Sequence, residues 1–415
     1  MLRNTFIALQ GTFIAQGIGF LFMPMLTRLY SPAAFGSYQI YMSVLGLFMV
    51  ITSLRYEMAL LSAEKNGEER ALLRLSLGLN LTTAVLVLLI CAVLVLVHPA
   101  WLPLPDLGLW LLVASVLAGG VMQTLGYVLF REQALAVNSW SKILQVTAFC
   151  LTAVAAAYAG YRQLGLIGAD LIGRIAAATL MFAWVFSQRK ALLGAATRSM
   201  IWNAASQFRR YPRFTTLGGL LTASIGLALP LVMLSAFGTT FLGQYALVER
   251  TILMPAGLIG QSVGQAFTAH LSASFIDGKN AQPEFRRIIA IMSAIGLAPA
   301  IILLGFGPSL FEVAFGSQWS VAGQMTGIVG FLALINFIMA PTHMVLVIIG
   351  RQGLQLAWEA GRLATVMLVW AVVLWQKVLP LHAVAIHAVA MGAMSLLFVL
   401  LADRALRRLR DSDAG

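Results

Sequence analysis

Long apolar stretches follow one another along almost the whole chain, with short polar segments between them. An α-helix needs about 20 apolar residues to cross a hydrocarbon core of about 30 Å, and each stretch reaches that length. The pattern therefore predicts an all-α membrane protein with about twelve transmembrane helices. Their expected ranges are 5–28, 37–61, 72–97, 107–130, 138–158, 165–186, 214–236, 241–265, 288–310, 321–348, 356–376 and 380–402.

The composition excludes an ordinary soluble domain. Hydrophobic residues make up 60% of the 415 residues, charged residues make up 10%, and the mean hydropathy is +0.89. Such a chain uses lipid as its solvent. The only two cysteines, Cys91 and Cys150, lie inside predicted spans. This placement argues against a disulfide framework or a thiolate metal site.

The basic residues predict the orientation in the membrane. With the N-terminus inside, 20 of the 27 Lys and Arg residues fall in cytoplasmic segments and only Arg28, Arg162 and Lys377 fall in the opposite loops. Cytoplasmic loops carry such an excess. We therefore expect a multi-pass protein of the inner (plasma) membrane with both termini in the cytoplasm. The net charge of +12 then reflects this topology and contact with anionic membrane lipids, so no nucleic-acid partner is implied.

The chain also shows signs of an internal duplication. Its longest polar stretch, 187–213, separates two sets of six predicted spans, and FGSY at 35–38 is echoed by LGQY at 242–245. Two like-oriented halves are a known transporter plan. We expect an N-terminal six-helix lobe at 1–190, a basic cytoplasmic linker at 191–213, a C-terminal six-helix lobe at 214–403 and a basic cytoplasmic tail at 404–415.

Four arginines lie inside predicted spans, each near an acidic residue. Charge at membrane depth is costly, so it usually faces a wet cavity and marks a transport pathway. The spacings of Asp170 with Arg174 and of Glu359 with Arg362 allow local pairing on one helical face. The other two pairs would point to different faces and seek partners elsewhere, unless they sit near an interface and reach water. These two pairs are Arg55 with Glu57 and Glu249 with Arg250.

Prolines inside predicted spans, notably Pro24, Pro230, Pro255, Pro299 and Pro341, predict kinked helices. Kinks serve either packing alone or bending between two states, and the sequence leaves both readings open.

The N-terminal residues carry a resemblance to a known family. The segments PMLTRLYSP at 24–32, FGSY at 35–38 and SLRYEMAL at 53–60 resemble the opening of Wzx-type polysaccharide and O-antigen flippases. These proteins belong to the multidrug/oligosaccharidyl-lipid/polysaccharide exporter superfamily. The similarity continues more faintly through 208–214 and 243–255, and the helix count fits the whole chain. The pattern does not indicate which glycan is carried.

The resemblance implies two six-helix lobes in a V-shaped, MATE-like arrangement around a central hydrophilic cavity. The cargo would be a lipid-linked oligosaccharide on polyprenyl pyrophosphate, such as a repeat unit of O-antigen, lipopolysaccharide or exopolysaccharide, and a polysaccharide polymerase would be a partner. Arg28, Arg55 and Arg250 are the headgroup contacts that the resemblance suggests. Arg174 and Arg362 are candidates on the charge argument alone, since a guanidinium suits bidentate contact with phosphate.

The source of energy stays open at this stage. Outward movement of negative charge gains roughly 2.3 kcal/mol per charge per 100 mV of membrane potential. A coupling ion, H⁺ or Na⁺, would instead need a binding group. The carboxylates available in the spans are Glu57, Asp170, Glu249 and Glu359. The arginine beside each of them favours its ionised form, which weakens the case for a proton carrier.

Two other functions are weighed against the flippase. A multidrug exporter of the same superfamily would share the fold, but we would expect an acidic cavity, whereas the spans here balance four arginines against five acids when Asp403 is included. A membrane-embedded polymerase or ligase would normally carry a large outward loop, and the predicted outward loops are short. The sequence has no P-loop or metal-ligand spacing. We therefore expect a transporter, not an enzyme, without a cofactor.

Overall fold

The structure, a computed structural model, describes residues 2–64, 67–97, 106–276, 282–342, 345–349 and 351–413. These residues form α-helices and short turns of 3₁₀- or π-helix, with no strand in the described ranges. The α-helices are α1 (Leu2–Leu29), α2 (Pro32–Ile51), α3 (Tyr56–Ala59), α4 (Glu68–Val97), α5 (Asp106–Arg131), α6 (Leu135–Tyr158), α7 (Gly165–Gln188), α8 (Arg198–Gln207), α9 (Thr216–Val248), α10 (Met254–Ile276), α11 (Gln282–Phe315), α12 (Ser320–Met339), α13 (Val345–Ile348), α14 (Gln352–Gln376) and α15 (Pro380–Asp413).

Among the described residues, eleven helical stretches are long and apolar enough to cross a membrane. One of them, Tyr211–Gly264, has 54 residues and would measure about 80 Å at 1.5 Å per residue, more than twice a hydrocarbon core. Inside it, Gly238 leaves the helical conformation with φ 79° and ψ 176°. This break falls between the predicted spans 214–236 and 241–265. The prediction of an all-α membrane protein with about twelve spans is confirmed.

Helix α4 shows how the fold suits a lipid solvent. Its large apolar side chains Leu81, Leu86 and Leu89 are exposed, whereas its polar residues Ser76 and Asn80 are fully buried. In water this arrangement would leave a large apolar surface uncovered. In a bilayer the apolar side chains contact lipid, and the polar groups find partners inside the protein.

The chain forms two compact units, Met1–Ser235 and Ala236–Gly415. Unit 1 therefore includes the first part of α9 as well as α1 to α8, and unit 2 begins close to the break at Gly238. The lobe and linker boundaries expected from the sequence, at 190, 213 and 403, remain predictions.

In unit 1, α6 packs along α7 and α1, while α5 packs against α4 and α7. At the α6–α7 crossing, a Cβ on Gly173 would lie 2.6 Å from the backbone oxygen of Gln145, so only glycine allows this approach. The predicted linker contains α8, whose side chains Met200 and Ala204 join an apolar cluster with α4 and α5, together with Phe208 directly after the helix. Thus α8 places its apolar side against protein.

In unit 2, α12 packs against α10, α11 and α15. A Cβ on Gly307 of α11 would clash with Thr326 Oγ1 of α12, which explains why this crossing carries a glycine. Gln244 fixes the start of α12, because its Oε1 accepts from the Ala322 N–H at 2.9 Å and its Nε2 donates to the Gln318 carbonyl at 2.8 Å.

Two of the expected spans are interrupted, one of them at a predicted kink. The span expected at 321–348 ends as an α-helix at Met339 and continues as the 3₁₀ turn Ala340–Thr342, since Pro341 has no N–H to donate to a preceding carbonyl. The span expected at 37–61 ends at Ile51 and resumes only at Tyr56. This second interruption shapes the candidate site.

Candidate functional site

The interruption after α2 is held by hydroxyl groups. The Thr83 hydroxyl of α4 lies 3.3 Å from the carbonyl oxygens of both Ile51 and Thr52, which are among the carbonyls left without an intrahelical partner when a helix ends. The Thr52 hydroxyl donates to the Met49 carbonyl at 3.1 Å. These bonds satisfy the end of α2 locally, so the chain can leave the helix inside the fold.

The backbone in the interruption is strained. Leu54 has φ 49° and Arg55 has φ 63°, the left-handed region that costs an L-residue other than glycine roughly 1–2 kcal/mol. Two such residues in succession persist only where the surrounding structure enforces them, and such strain is concentrated at functional sites. This geometry marks the segment around Arg55 as a candidate site.

Glu57 is the acidic centre of this site. Its side chain is fully buried in α3, yet both carboxylate oxygens have a donor. The Ser53 hydroxyl donates to Oε2, and Gln123 Nε2 of α5 donates to Oε1 at 2.6 Å. Gln123 lies eight residues before the end of α5 at Arg131, a rise of about 12 Å. The carboxylate is therefore well inside the helical bundle of unit 1.

Arg55 is held more loosely than its neighbour. Its Nη1 lies 3.9 Å from Glu57 Oε1, its side chain is 23% exposed, and within the described part of the chain its Nε has no hydrogen-bond partner. On its other side the guanidinium approaches Gly219, where a Cβ would lie 3.2 Å from Nη2. The sequence placed Arg55 and Glu57 on different faces of a continuous helix. That prediction was wrong, because the left-handed residues turn both side chains to one another.

Arg174 and Asp170 pair locally on α7, as their spacing predicted. Arg174 Nε lies 2.6 Å from Asp170 Oδ2 and Nη2 lies 3.2 Å from Oδ1, while the Tyr41 hydroxyl donates to Oδ2 at 2.7 Å. Arg174 and Asp170 are both buried. This bidentate arrangement occupies the guanidinium within unit 1.

Glu359 and Arg362 also pair locally, on α14. Arg362 Nη2 lies 2.9 Å from Glu359 Oε2, and the guanidinium lies 5.3 Å from the ring centre of Trp358. The two charged side chains are 40% and 38% exposed. An exposed pair of this kind costs little to break.

The remaining predicted residues lie in two other places. Arg28 is exposed in the last turn of α1. Glu249 and Arg250 are half-buried in the π-helical segment Glu249–Leu253, which precedes Pro255. Proline cannot donate to the carbonyl four residues earlier, so the widened turn has a direct cause in the sequence. π-Helical turns are frequent at functional sites.

The sequence reasoning missed the neutral polar residues around the interruption. Asn80 and Thr124 are fully buried and bonded to each other, with Asn80 Nδ2 donating to Thr124 Oγ1 at 3.1 Å. Gln123 holds Glu57. A signal was present, since an amide side chain in the middle of an apolar span requires a polar partner. In the described residues that were searched, no group of three His, Cys, Asp or Glu side chains could hold a metal ion.

Comparisons with known proteins agree with this fold. The family model of polysaccharide biosynthesis proteins matches residues 1–268 of the 415-residue chain. A search of curated proteins found no match.

Three solved structures share the architecture. The lipid II flippase MurJ in an inward closed conformation has a TM-score of 0.72 at 13% identity, covering 95% of this chain and 87% of that one. An inward-facing multidrug resistance MATE transporter of the MOP superfamily has a TM-score of 0.64 at 13% identity, covering 98% and 99%. An outward-facing transporter of that kind has a TM-score of 0.50 at 14% identity, covering 98% and 94%. At these identities the likeness shows the fold.

Proposed function

The chain belongs to the polysaccharide biosynthesis protein family and is a membrane transporter with the fold of the MOP superfamily, and we propose that it flips polyprenyl-pyrophosphate-linked oligosaccharide. The lipid-linked repeat unit, of O-antigen, lipopolysaccharide or exopolysaccharide type, would move from the cytoplasmic to the outer leaflet of the inner membrane. The family description and the fold shared with a lipid II flippase support a lipid-linked glycan as cargo.

The chemistry of such a cargo requires a protein pathway. A pyrophosphate bound to sugars is strongly hydrated, and taking its charge into hydrocarbon unpaired costs many kcal/mol. Fixed guanidinium groups can replace the lost water by charge-assisted, bidentate hydrogen bonds to phosphate oxygens. The apolar polyprenyl chain needs no such partners and can remain among the lipid tails.

The loose hold on Arg55 is the observation that carries the proposal. Its side chain is partly exposed, its Nη1 lies at the long limit of an ion pair with Glu57, and its buried Nε has no hydrogen-bond partner within the described residues. It can therefore turn to an anionic headgroup at little cost. Glu57, bonded to Ser53 and Gln123, keeps its own partners when Arg55 moves. We propose that Arg55 is the principal headgroup contact.

Arg28 and Arg250 are proposed as further headgroup contacts on the resemblance to Wzx-type flippases. The acid partners of Arg174 and Arg362 lie at 2.6 and 2.9 Å, and this close pairing reduces the net charge each can offer to phosphate. For these two the proposal is weaker than for Arg55.

We propose transport by alternating access, which requires two states of the fold. The fold is known in inward-facing and outward-facing conformations of MATE transporters, which supports two states. With cytoplasmic termini, as the basic residues indicate, a negative cell interior favours outward movement of the pyrophosphate. The gain is roughly 2.3 kcal/mol per charge per 100 mV.

Multidrug export is the second candidate, because the structure of the inward-facing multidrug resistance MATE transporter aligns with 98% of this chain. A cationic drug would require a free carboxylate, whereas Glu57, Asp170 and Glu359 each have an arginine nearby. The balance of charge therefore favours an anionic cargo.

The proposal is tested with purified protein in proteoliposomes that contain a fluorescent polyprenyl-pyrophosphate oligosaccharide. We expect Arg55→Ala to lower the flipping rate by about 10- to 100-fold, because it removes a charged hydrogen bond that contributes about 1.5–3 kcal/mol. Arg55→Lys keeps the charge but loses the fork and should fall between. Arg198→Ala, an exposed arginine at the start of α8, is the matched control. Equal rates for Arg55→Ala and Arg198→Ala would remove Arg55 from the pathway.

A further inference from the structure

The segment that joins α8 to α9 carries three arginines that the proposed function does not use. The predicted linker, 191–213, contains four arginines and no acidic residue, and the sequence has no Asp or Glu anywhere in 171–248. One of the four, Arg198, lies at the start of α8. The other three, here called the linker arginines, follow the end of that helix within five residues. They are Arg209, Arg210 and Arg213.

The linker arginines hold their charge in the open. All three side chains are exposed, and within the part of the chain that the structure describes their guanidinium groups make no hydrogen bond and no ion pair. Other basic residues nearby are occupied, since Arg189 pairs with Glu132 at 3.0 Å and Lys190 lies over the ring of Phe186. The linker arginines are therefore available to an anion from outside the chain.

An exposed apolar stripe begins directly after these arginines. Phe214, Leu217 and Leu221 recur at helical spacing and are 73%, 59% and 62% exposed. This α9 stripe covers about 10 Å of the helix and belongs to the apolar stretch Tyr211–Gly264. Trp202 of α8 is 75% exposed, and tryptophan is enriched at the level of the lipid headgroups. The linker arginines therefore lie where headgroups meet acyl chains.

We propose that the linker arginines bind the phosphate of an anionic phospholipid of the cytoplasmic leaflet, with an acyl chain along the α9 stripe. A guanidinium group suits bidentate contact with phosphate, and basic residues clustered next to a transmembrane helix attract anionic lipids. The glycan of the proposed cargo would require polar partners, which the α9 stripe does not offer. A phospholipid matches both the charge and the apolar surface.

The position of this site suggests what the lipid does. A Cβ on Gly219 of α9 would lie 3.2 Å from Arg55 Nη2, and the Tyr56 hydroxyl donates to the Ala205 carbonyl of α8 at 2.9 Å. The Arg55 segment thus packs against both helices that the linker arginines join. A phospholipid bound there holds this junction in place. Any effect on transport rests on the proposed flippase function, whereas lipid binding itself does not.

Binding is tested on the purified full chain in liposomes that contain no lipid-linked cargo. The probes are phosphatidylglycerol and phosphatidylcholine with a photoactivatable acyl chain, and mass spectrometry maps the residues to which each one cross-links. We expect phosphatidylglycerol to label 209–221 in preference to phosphatidylcholine. High salt should reduce this preference, because it screens exposed charges.

Two triple variants test the linker arginines. Combining Arg209→Gln, Arg210→Gln and Arg213→Gln should lower the labelling of 209–221 by phosphatidylglycerol at least about tenfold. Replacing the same three residues by Lys keeps the positive charge and should retain most of the labelling. Unchanged labelling in the Gln variant would overturn the proposal.

The matched control removes the same charge from unit 2. It combines Arg287→Gln, Arg351→Gln and Arg404→Gln, which replace exposed arginines also predicted to be cytoplasmic, and it should leave the labelling of 209–221 unchanged. An equal loss in both Gln variants would mean that net charge alone attracts the lipid, and would overturn the proposal. Equal labelling by the two lipids in the wild-type protein would do the same.

A competition experiment distinguishes phospholipid from cargo. Displacement of phosphatidylglycerol from 209–221 by a stoichiometric amount of polyprenyl-pyrophosphate oligosaccharide would assign the site to the cargo and overturn the phospholipid proposal. We expect labelling to persist. The flipping rate of Arg55→Ala is measured separately, so this proposal and the flippase proposal can fail independently.

Discussion

Breaking the buried pair of Asp170 and Arg174 is expected to destabilise unit 1 strongly. The pair is bidentate, with separations of 2.6 and 3.2 Å, and the Tyr41 hydroxyl adds a third bond to the carboxylate at 2.7 Å. Both charged side chains are buried. Removing one partner leaves the other charge uncompensated, at a cost of about 3–5 kcal/mol.

The decisive comparison is between single and double variants. Arg174→Met alone should lower the thermal unfolding midpoint of the detergent-purified protein by several degrees, and Asp170→Leu alone should do the same. The double variant replaces the whole pair by apolar groups, so it should recover most of the loss, to within about 1–2 kcal/mol of wild type. Unfolding is followed by fluorescence-detected size-exclusion chromatography after heating, and flipping is measured in proteoliposomes.

Two results would refute this reasoning. Unchanged stability of Arg174→Met would mean that the pair contributes little. A double variant no more stable than Arg174→Met alone would mean that the loss does not come from an uncompensated buried charge. The flipping assay answers a separate question, since a stable but inactive double variant would indicate that Arg174 contacts the cargo.

Three further changes should separate structural residues from transport residues. Gln244→Leu removes both bonds at the start of α12, so we expect a loss of about 1–3 kcal/mol in thermal unfolding, and unchanged unfolding would show that other groups secure that helix start. Arg362→Gln breaks only an exposed pair and should change stability by less than about 1 kcal/mol; a larger loss in the same unfolding assay would contradict the exposure of that pair. Gly219→Ala brings a methyl group against Arg55 and Val50, whereas Gly218→Ala meets nothing within 4 Å. We expect slower flipping only for Gly219→Ala, and equal rates would argue against a role for the Arg55 position.

Much of the fold could be predicted from the sequence because hydrophobic length is decisive in a bilayer. The helical class and the span ranges follow from the length of the apolar stretches. The local pairing of Asp170 with Arg174 and of Glu359 with Arg362 follows from their spacing along one helix. The break at Gly238 also fell where the apolar pattern divided.

The interruption at Ile51 could not be predicted in this way. It depends on Thr83, a residue of another helix that lies more than thirty positions further along the chain. Hydropathy does not report backbone conformation. The left-handed backbone at Leu54 and Arg55 also carries no signal in the residue types, because neither residue is a glycine. The pairing of Asn80 with Thr124 and of Gln123 with Glu57 likewise depends on which faces of α3, α4 and α5 meet.

The flippase proposal is tested most directly by deleting the gene and measuring where lipid-linked repeat units accumulate. The prediction is loss of surface polysaccharide together with a build-up of polyprenyl-pyrophosphate oligosaccharide on the cytoplasmic leaflet, which wild-type protein reverses and Arg55→Ala does not. Membrane levels of the two proteins are compared by immunoblot, so that poor expression is distinguished from lost transport. Normal surface polysaccharide without accumulation, in a strain with no second flippase, would contradict the proposal.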